Sequence, residues 1–261
     1  MLRPRIIPCL LVHNRGLVKT RQFSDPTYVG DPVNAVRIFN EKEVDELMVL
    51  DIDATVKGHE PNYELIAQLA AECRMPLAYG GGVKIVEQVE RIIGLGVEKV
   101  AISSAAIANP DFITTAARKV GSQSVTVVAD VRADGEDDFR VYTHNGTEKT
   151  GWTPVALASS VEEAGAGEFI VNNIDRDGMG NGYDLELVAQ CRAACGLPIT
   201  VLGGAGSLDD VKALIERFPI VGASAGSLFV FKGKYRAVLI SYPNRARKDG
   251  FSHLVASSNV T

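Results

Sequence analysis

The stretch Val125-Thr-Val-Val-Ala-Asp-Val131 decides the fold, because a similar stretch, Arg5-Ile-Ile-Pro-Cys-Leu-Leu-Val12, lies about 120 residues before it. Three more pairs follow in the same order: Leu50-Asp-Ile-Asp-Ala-Thr55 with Asn173-Ile-Asp-Arg-Asp-Gly178, Tyr79-Gly-Gly-Gly-Val83 with Leu202-Gly-Gly-Ala-Gly206, and Ala101-Ile-Ser-Ser-Ala-Ala106 with Gly222-Ala-Ser-Ala-Gly-Ser227. Four matched segments at one spacing indicate a duplicated unit, so the sequence predicts one fold with approximate internal two-fold symmetry.

Length and composition limit the classes of protein to consider. The chain has 261 residues, 46% of them apolar and 23% charged, which is typical of a globular protein with a large core. Its net charge of −5 gives no reason to expect nucleic acid or an anionic membrane as a partner. Neither a membrane-spanning run nor a signal-peptide pattern is present, so we expect a cytoplasmic protein. The cysteines and histidines lack disulfide or zinc spacing, so we expect no metal and no cofactor.

Short apolar runs alternate eight times with segments of helical period. The runs predict strands at 5–12, 46–52, 76–80, 98–102, 124–131, 168–173, 198–202 and 220–224, and helices near 31–41, 61–73, 84–95, 109–119, 153–164, 184–195, 207–217 and 232–242. Nearly continuous apolar strands are typical of a parallel sheet with both faces covered. We therefore predict a single (β/α)8 barrel of the TIM type rather than a doubly wound open sheet.

This barrel is expected to cover residues 1–243, as half-barrels of about 1–121 and 122–243, and to leave 244–261 as a polar C-terminal tail. Two connections interrupt the regular alternation. Residues 20–30 read as a long polar loop after strand one, on the face where barrel enzymes keep their active sites. Residues 132–150 contain alternating residues around Asn145-Gly146, which predicts a β-hairpin above strand five.

Glycine- and serine-rich loops follow strands three and four, and again strands seven and eight. Glycine lets the backbone approach an anion, and the amides that begin the next helix can donate to it. The same glycines would also serve tight turns alone. Four matched loops in two pairs favour two phosphate sites and a ligand with a phosphate at each end. The candidate residues are Gly81, Gly82, Ser103, Ser104, Gly203, Gly204, Ser224 and Ala225.

Over about residues 1–243 the chain resembles the HisF family, the cyclase subunit of imidazole glycerol phosphate synthase. The resemblance rests on Arg5-Ile-Ile-Pro-Cys-Leu10, Gly16-Leu-Val-Lys19, Gly30-Asp-Pro32, Asp45-Glu-Leu47, Leu50-Asp-Ile52, Gly80-Gly-Gly82, Asn173-Ile-Asp-Arg-Asp-Gly178, Gly182-Tyr-Asp184 and Gly203-Gly-Ala-Gly206. It implies a partner glutaminase on the N-terminal face of the barrel. Ammonia would pass through the barrel to a bisphosphorylated ribulosyl aminoimidazole carboxamide, which is cleaved and cyclised.

The resemblance also implies roles for single residues. It places an ammonia gate at Arg5, Glu46, Lys99 and Glu168, although such charges could equally form a stabilising plug. It places ligand contacts at Lys19, Asp51, Asn172 and Asp177. Two of the mouth residues depart from the family's usual pattern, since Asn172 stands where threonine is usual and Thr20 where glycine is usual.

The family's catalytic pair is two aspartates, at the ends of strands one and five. Here the second is Asp130, but the first is replaced by Leu11. Leucine can neither accept nor donate a proton. One hypothesis is a barrel that supplies ammonia for another amidation, such as that of a surface-polysaccharide sugar, with its own cyclase activity weak or lost. A second is a working cyclase of histidine biosynthesis, and a third is a non-catalytic partner that activates the glutaminase.

Overall fold

The computed structural model describes residues 4–135 and 138–258, with side chains described up to residue 251. Parts of the predicted barrel (1–3), hairpin (136–137) and tail (259–261) lie outside the described residues. Eight parallel strands, here called barrel strands one to eight, are Arg5–His13, Leu47–Asp51, Leu77–Gly80, Lys99–Ile102, Val125–Ala133, Glu168–Asn173, Ile199–Leu202 and Val221–Ala225.

The eight strands form a closed ring. Each pairs with the next along the chain, strand five pairs with strand six through Asp130 opposite Asn172, and strand one pairs with strand eight through Arg5 opposite Gly222. Closure leaves the barrel without edge strands. The (β/α)8 barrel predicted from the sequence is confirmed.

Seven long helices follow the first seven strands: Pro32–Glu41, Tyr63–Glu72, Val86–Gly94, Asp111–Val120, Pro154–Glu163, Leu185–Ala194 and Leu208–Arg217. Short helical turns occur at Ser104–Ala108, Ser122–Ser124, Ile174–Arg176 and Ser227–Val230. Local caps explain several helix starts. Asp31 accepts a hydrogen bond from the Asn34 amide just before Pro32, and Ser207 and Asp210 form a capping box. These caps fix where each connecting loop ends.

The helix predicted at 232–242 is wrong. Phe231–Lys232 and Ala237–Val238 form a small antiparallel pair instead, because Gly233 and Arg236 adopt positive φ angles and turn the chain. Pro243 then disfavours helix in the residue before it. A helix begins only after Asn244, whose side chain accepts from the Arg247 amide, and it runs over Arg245–Ser258 within the segment predicted as a tail.

The loop predicted at 20–30 is also wrong. Instead, Gly16–Arg21 and Ser24–Gly30 form a β-hairpin. Its first strand also pairs antiparallel with the end of strand one. Its two turns use non-glycine residues at positive φ, Asn14-Arg15 and Gln22-Phe23, so the usual glycine signal of a hairpin is missing. The hairpin predicted around Asn145-Gly146 is confirmed, with Phe139–Thr143 and Glu148–Lys149 paired to each other and the former also to strand five.

The core has two parts. The larger lies between the strands and the helices. The smaller fills the barrel interior and is apolar: Ile7, Cys9, Met48, Ala78, Ala101, Val128, Ile170 and Leu202, with Leu11 and Leu50 packed against it. This inner cluster separates a charged layer at the N-terminal ends of the strands, here called the barrel floor, from a polar mouth at their C-terminal ends.

Candidate active site

Four charged side chains meet at the barrel floor. Arg5 Nη2 lies 2.6 Å from Glu168 Oε1, and the other guanidinium nitrogen donates to Glu46. Lys99 Nζ lies 2.8 Å from a carboxylate oxygen of Glu46 and 2.8 Å from one of Glu168. Each base contacts both acids, so the four side chains form a closed ring across the interior. The structure therefore brings together all four residues of the predicted gate.

Pairing governs the electrostatics of this ring. Burial alone would raise the pKa of Glu168, but Arg5 and Lys99 outweigh it and hold that pKa below its ordinary value. Thr200 adds a hydroxyl that donates to Glu168 Oε1 at 2.5 Å. The pKa of Arg5 is raised, because the two carboxylates outweigh the effect of its own burial. The ring thus favours the charged forms of Arg5 and Glu168.

Asp130 stands at the opposite end of the interior, near the end of strand five. Burial raises its pKa to about 7, while a hydrogen bond from Asn172 opposes the rise and the charge of Asp177 adds to it. The Asn172 Nδ2 atom donates to Asp130 Oδ1 at 2.8 Å. A carboxyl with a pKa near neutrality can both give and take a proton at physiological pH. Asp130 lines a cleft of about 520 Å³, which we call the mouth cleft.

Leu11, at the matching position of strand one, is half-buried against the inner apolar cluster. It lies opposite Leu50 on strand two and Val18 on the neighbouring hairpin. Leu50 itself lines the mouth cleft. Strand one therefore carries an apolar side chain at the position that matches Asp130 on strand five, beside the apolar Leu50 of the cleft lining.

The loops after strands three and four reach the mouth cleft. Gly81, Gly82, Ser103 and Ser104 line it together with Asp51. Gly81 has φ +119°, and a side chain there would meet the Asp51 carbonyl oxygen at 2.3 Å, so only glycine fits. The Ser103 hydroxyl is buried and has no hydrogen-bond partner in the part of the chain that is described. These loops and Asp130 therefore line one cleft, and the phosphate role of Gly81, Gly82, Ser103 and Ser104 stays a prediction.

The loops after strands seven and eight lie apart from the mouth cleft. Ser224 is fully buried; its hydroxyl donates to the Ile7 carbonyl oxygen at 3.0 Å, and its own carbonyl accepts from Tyr183 at 2.9 Å. The Gly204 carbonyl accepts a hydrogen bond from the Gly182 backbone amide at 2.9 Å. Gly203 and Ala225 belong to the same two loops. The phosphate role of Gly203, Gly204, Ser224 and Ala225 stays a prediction.

The hairpin after strand one carries Lys19 and contacts Asp177, which lies in the loop after strand six. Lys19 is buried, its Nζ donates to the Cys9 carbonyl, and burial lowers its pKa. Asp177 accepts from the Thr20 hydroxyl at 2.7 Å. Burial raises the pKa of Asp177, against the opposing effects of Thr20 and Lys19. The backbone amide of Gln22 donates to the Asp177 carbonyl at 2.9 Å, which fastens this hairpin to the loop after strand six.

The tip of the hairpin after strand five also lines the mouth cleft, which was not predicted from the sequence. Its residues His144 and Asn145 share the cleft with Asp130. The Asn145 side-chain amide donates to the Ile52 carbonyl at 2.7 Å, which holds the tip against the loop after strand two. The Asn-Gly pair revealed the turn, but a hairpin signal is local and does not show which loop the tip contacts.

In residues 4–135 and 138–258, no group of three histidine, cysteine or acidic side chains is placed to hold a metal ion. Within the same ranges no helix has the length and apolar character needed to cross a bilayer.

Together, the closed barrel, its duplicated loops and the acid at its mouth define a (β/α)8-barrel protein of the half-barrel-repeat class. A family model described as "Histidine biosynthesis protein" matches residues 5–236. The chain belongs to this family, and it is HisF-like across nearly its whole length.

Three relatives give the range of similarity. A Leptospira borgpetersenii protein, provisionally named imidazole glycerol phosphate synthase subunit HisF, is 58% identical over 250 residues, covering 95% of this chain and 98% of the relative. A Pseudomonas aeruginosa protein, whose name is also provisional, is 52% identical over 249 residues, covering 95% and 99%. The imidazole glycerol phosphate synthase subunit HisF of Streptococcus mutans is 36% identical over 249 residues, covering 95% and 98%.

Proposed function

We propose that this chain is a HisF-like subunit that pairs with a glutaminase and conducts ammonia through its barrel, while its own cyclase step is slow. One observation carries the proposal: Leu11, which packs against the inner apolar cluster, stands on strand one at the position that matches Asp130 on strand five, where the family has its first acid. General acid–base assistance is typically worth about 10²–10⁴-fold, so a missing partner acid has a large effect on rate.

The interior supports an ammonia route. Between the charged ring and the mouth lies the inner apolar cluster. Ammonium would lose its hydration in such surroundings at a high cost, whereas neutral ammonia would lose far less. The ring of Arg5, Glu46, Lys99 and Glu168 covers the floor, so we infer that ammonia enters when a partner on that face shifts one of these side chains.

Phosphate groups of the ligand are assigned to the two loop pairs. Gly81, Gly82, Ser103 and Ser104 would hold one phosphate in the mouth cleft, where the unpartnered Ser103 hydroxyl is available to donate. Gly203, Gly204, Ser224 and Ala225 would hold the other, with Lys19 beside Gly226 as its positive charge. A glycine-rich loop before a helix is a common setting for such a group.

Similarity supports a role apart from standard cyclases. The relatives at 58% and 52% identity have provisional HisF names, whereas the Streptococcus mutans protein, whose HisF name is unqualified, is 36% identical. The acceptor of the ammonia would then be a substrate of another enzyme, such as one that amidates a surface-polysaccharide sugar. Neighbouring sugar-modification genes would support that acceptor, and neighbouring histidine genes would contradict it.

The central test is turnover of the ribulosyl aminoimidazole carboxamide bisphosphate with free ammonium, so that no glutaminase is needed. Wild type would be compared with Leu11→Asp, Asp130→Asn and Leu50→Asp. We expect slow turnover in wild type, at least about 10²-fold faster turnover in Leu11→Asp, and loss in Asp130→Asn. Leu50→Asp is the matched control, because it adds an acid on the adjacent strand, opposite Leu11 in the sheet. Fast wild-type turnover would contradict the proposal.

A second candidate, a working cyclase of histidine biosynthesis, is favoured by the Asp130 pKa of about 7. A carboxyl with that pKa is well suited to proton transfer near neutral pH, even without a second acid. The same assay separates this candidate from the proposal, since a working cyclase would gain little from Leu11→Asp.

The third candidate, a partner that activates the glutaminase without conducting ammonia, is tested by plugging the floor. In the Leu11→Asp background, Lys99→Trp should abolish turnover that depends on glutamine and the glutaminase, but spare turnover with free ammonium. Lys119→Trp, at an exposed lysine, is the control and should spare both. Glutamine-dependent turnover that survives Lys99→Trp would contradict conduction through the barrel.

A further inference from the structure

The hairpin after strand five extends over the mouth cleft to the loop after strand two. Its tip is fixed by the 2.7 Å hydrogen bond from Asn145 Nδ2 to the Ile52 carbonyl. The Ile52 amide in turn donates to the Val12 carbonyl at 3.1 Å, next to Leu11. A hairpin that pairs with strand five at Asp130 therefore ends at a loop that is hydrogen-bonded to strand one, next to the position that lacks an acid.

His144 occupies this tip, and its ring is oriented by a carboxylate. The Nδ1 atom lies 2.9 Å from Glu148 Oε2 and 3.1 Å from the Thr143 hydroxyl. A histidine whose Nδ1 proton is held by a carboxylate is left with Nε2 for proton exchange. Both His144 and Asp130 line the mouth cleft, so one ligand there could contact both groups.

We propose that His144 serves as the second acid–base group of the mouth cleft, in place of the acid that strand one lacks. This inference rests on the proposed function, because it concerns the slow reaction that remains at the same site. His144 lines the cleft together with Asp130, and Glu148 contacts its ring. Asp130 and His144 act on one ligand as an acid–base pair.

The pair suits addition of ammonia to a carbonyl carbon of the ligand. The nitrogen forms a bond to that carbon, and the C=O electron pair moves to oxygen, which takes the Nε2 proton of His144. Asp130 removes a proton from the added nitrogen. When the carbon–oxygen bond then breaks, the nitrogen lone pair forms the C=N bond, and oxygen leaves as water with a second proton from the imidazolium, which has been reloaded from Asp130. The iminium nitrogen then returns one proton to Nε2 of His144. The sum is carbonyl plus ammonia giving imine plus water, with both side chains restored.

The test uses the slow turnover of wild type with free ammonium. Position 144 has φ 51°, so asparagine is chosen as the replacement because it tolerates this conformation. His144→Asn should lower wild-type turnover by about 10²-fold or more. His13→Asn is the matched control: it also pairs with a carboxylate, Asp53 at 2.7 Å, but it does not line the mouth cleft. It should change the rate by less than about two-fold.

In the Leu11→Asp background the same His144→Asn change should cost less than about 10-fold, because the restored acid takes over the role. Equal losses in both backgrounds would show a structural role for His144 and overturn the proposal. So would a wild type with no turnover, an unchanged His144→Asn variant, or an equal loss in His13→Asn. Wild-type turnover as fast as that of Leu11→Asp would instead overturn the proposed function, and the response to His144→Asn would still decide this inference.

Discussion

The two ends of the barrel interior both hold carboxyl groups, but they treat them differently. At the floor, Glu46 and Glu168 are each paired with both Arg5 and Lys99, so the charges neutralise one another. At the mouth, Asp130 receives a hydrogen bond from Asn172 and forms no ion pair with any described side chain. The floor uses its charges to hold a closed arrangement, whereas the mouth keeps a carboxyl whose proton is exchangeable near pH 7.

The largest expected effect comes from breaking the floor ring. Glu168→Leu would leave Arg5 and Lys99 sharing one carboxylate, and removing one partner of a buried pair typically costs about 3–5 kcal/mol. The pKa of Glu168 is depressed, so its contribution is present above its ordinary value of 4.5 and is lost as the pH falls below it. In urea unfolding, the free energy of unfolding of Glu168→Leu should lie far below that of wild type at pH 7 and close to it at pH 3.

The exposed Glu98 provides the matched control, since it directly precedes Lys99 at the N-terminal end of strand four. Glu98→Leu should change the free energy of unfolding by less than about 0.5 kcal/mol. Equal losses in the two variants would mean that the ring contributes no more than a surface charge.

At the mouth, the sign of the effect should reverse. Because the folded state raises the pKa of Asp130 from 3.8 to about 7, ionisation of this carboxyl opposes folding. Wild-type stability should therefore fall between pH 4 and pH 7 relative to Asp130→Asn and level off above pH 7. We expect the variant to be more stable at pH 8 by about 1–2 kcal/mol, less than the full shift implies because the carboxyl borders an open cleft.

Unfolding curves of both proteins at pH 4, 6 and 8 would measure this difference. A variant that is less stable than wild type at pH 8 would show that the ionised carboxyl is compensated at the mouth as it is at the floor.

A smaller effect should follow from one hydrogen bond at the floor. Thr200→Val removes the hydroxyl that donates to Glu168 at 2.5 Å but keeps the shape of the side chain. Two ion pairs to Glu168 remain, so the expected loss is about 1 kcal/mol. Thr126 lies in strand five, opposite Glu168, and its buried hydroxyl has no partner among the described residues, so Thr126→Val should be neutral or stabilising. Unfolding of the two valine variants under one condition would separate hydrogen bonding from shape.

The sequence predicted the floor better than the mouth, for a physical reason. Every barrel strand was predicted near its observed place, because a parallel sheet covered on both faces requires apolar runs that are visible locally. The floor residues Arg5, Lys99 and Glu168 each begin a strand, and Glu46 immediately precedes one, so knowledge of the strands already places them together.

The mouth depends on turns and long loops. The hairpin after strand one was predicted as a loop because Gln22 and Phe23 make its turn without glycine. His144 was not recognised as part of the site, because its position depends on the contact between Asn145 and Ile52, about 90 residues apart in the chain.

The smallest expected effect concerns that contact. Asn145→Gly removes the hydrogen bond to Ile52, yet glycine suits the positive φ of 56° at this position, so backbone strain does not confuse the result. Because the bond is exposed, the free energy of unfolding should change by less than about 0.5 kcal/mol. The hairpin tip should nevertheless open more often, so hydrogen exchange at Thr147 should become a few-fold faster while exchange at Phe169 in strand six stays the same. Unchanged exchange at Thr147 would mean that the hairpin's own pairing holds His144 over the cleft, rather than the contact between Asn145 and Ile52 in the loop after strand two.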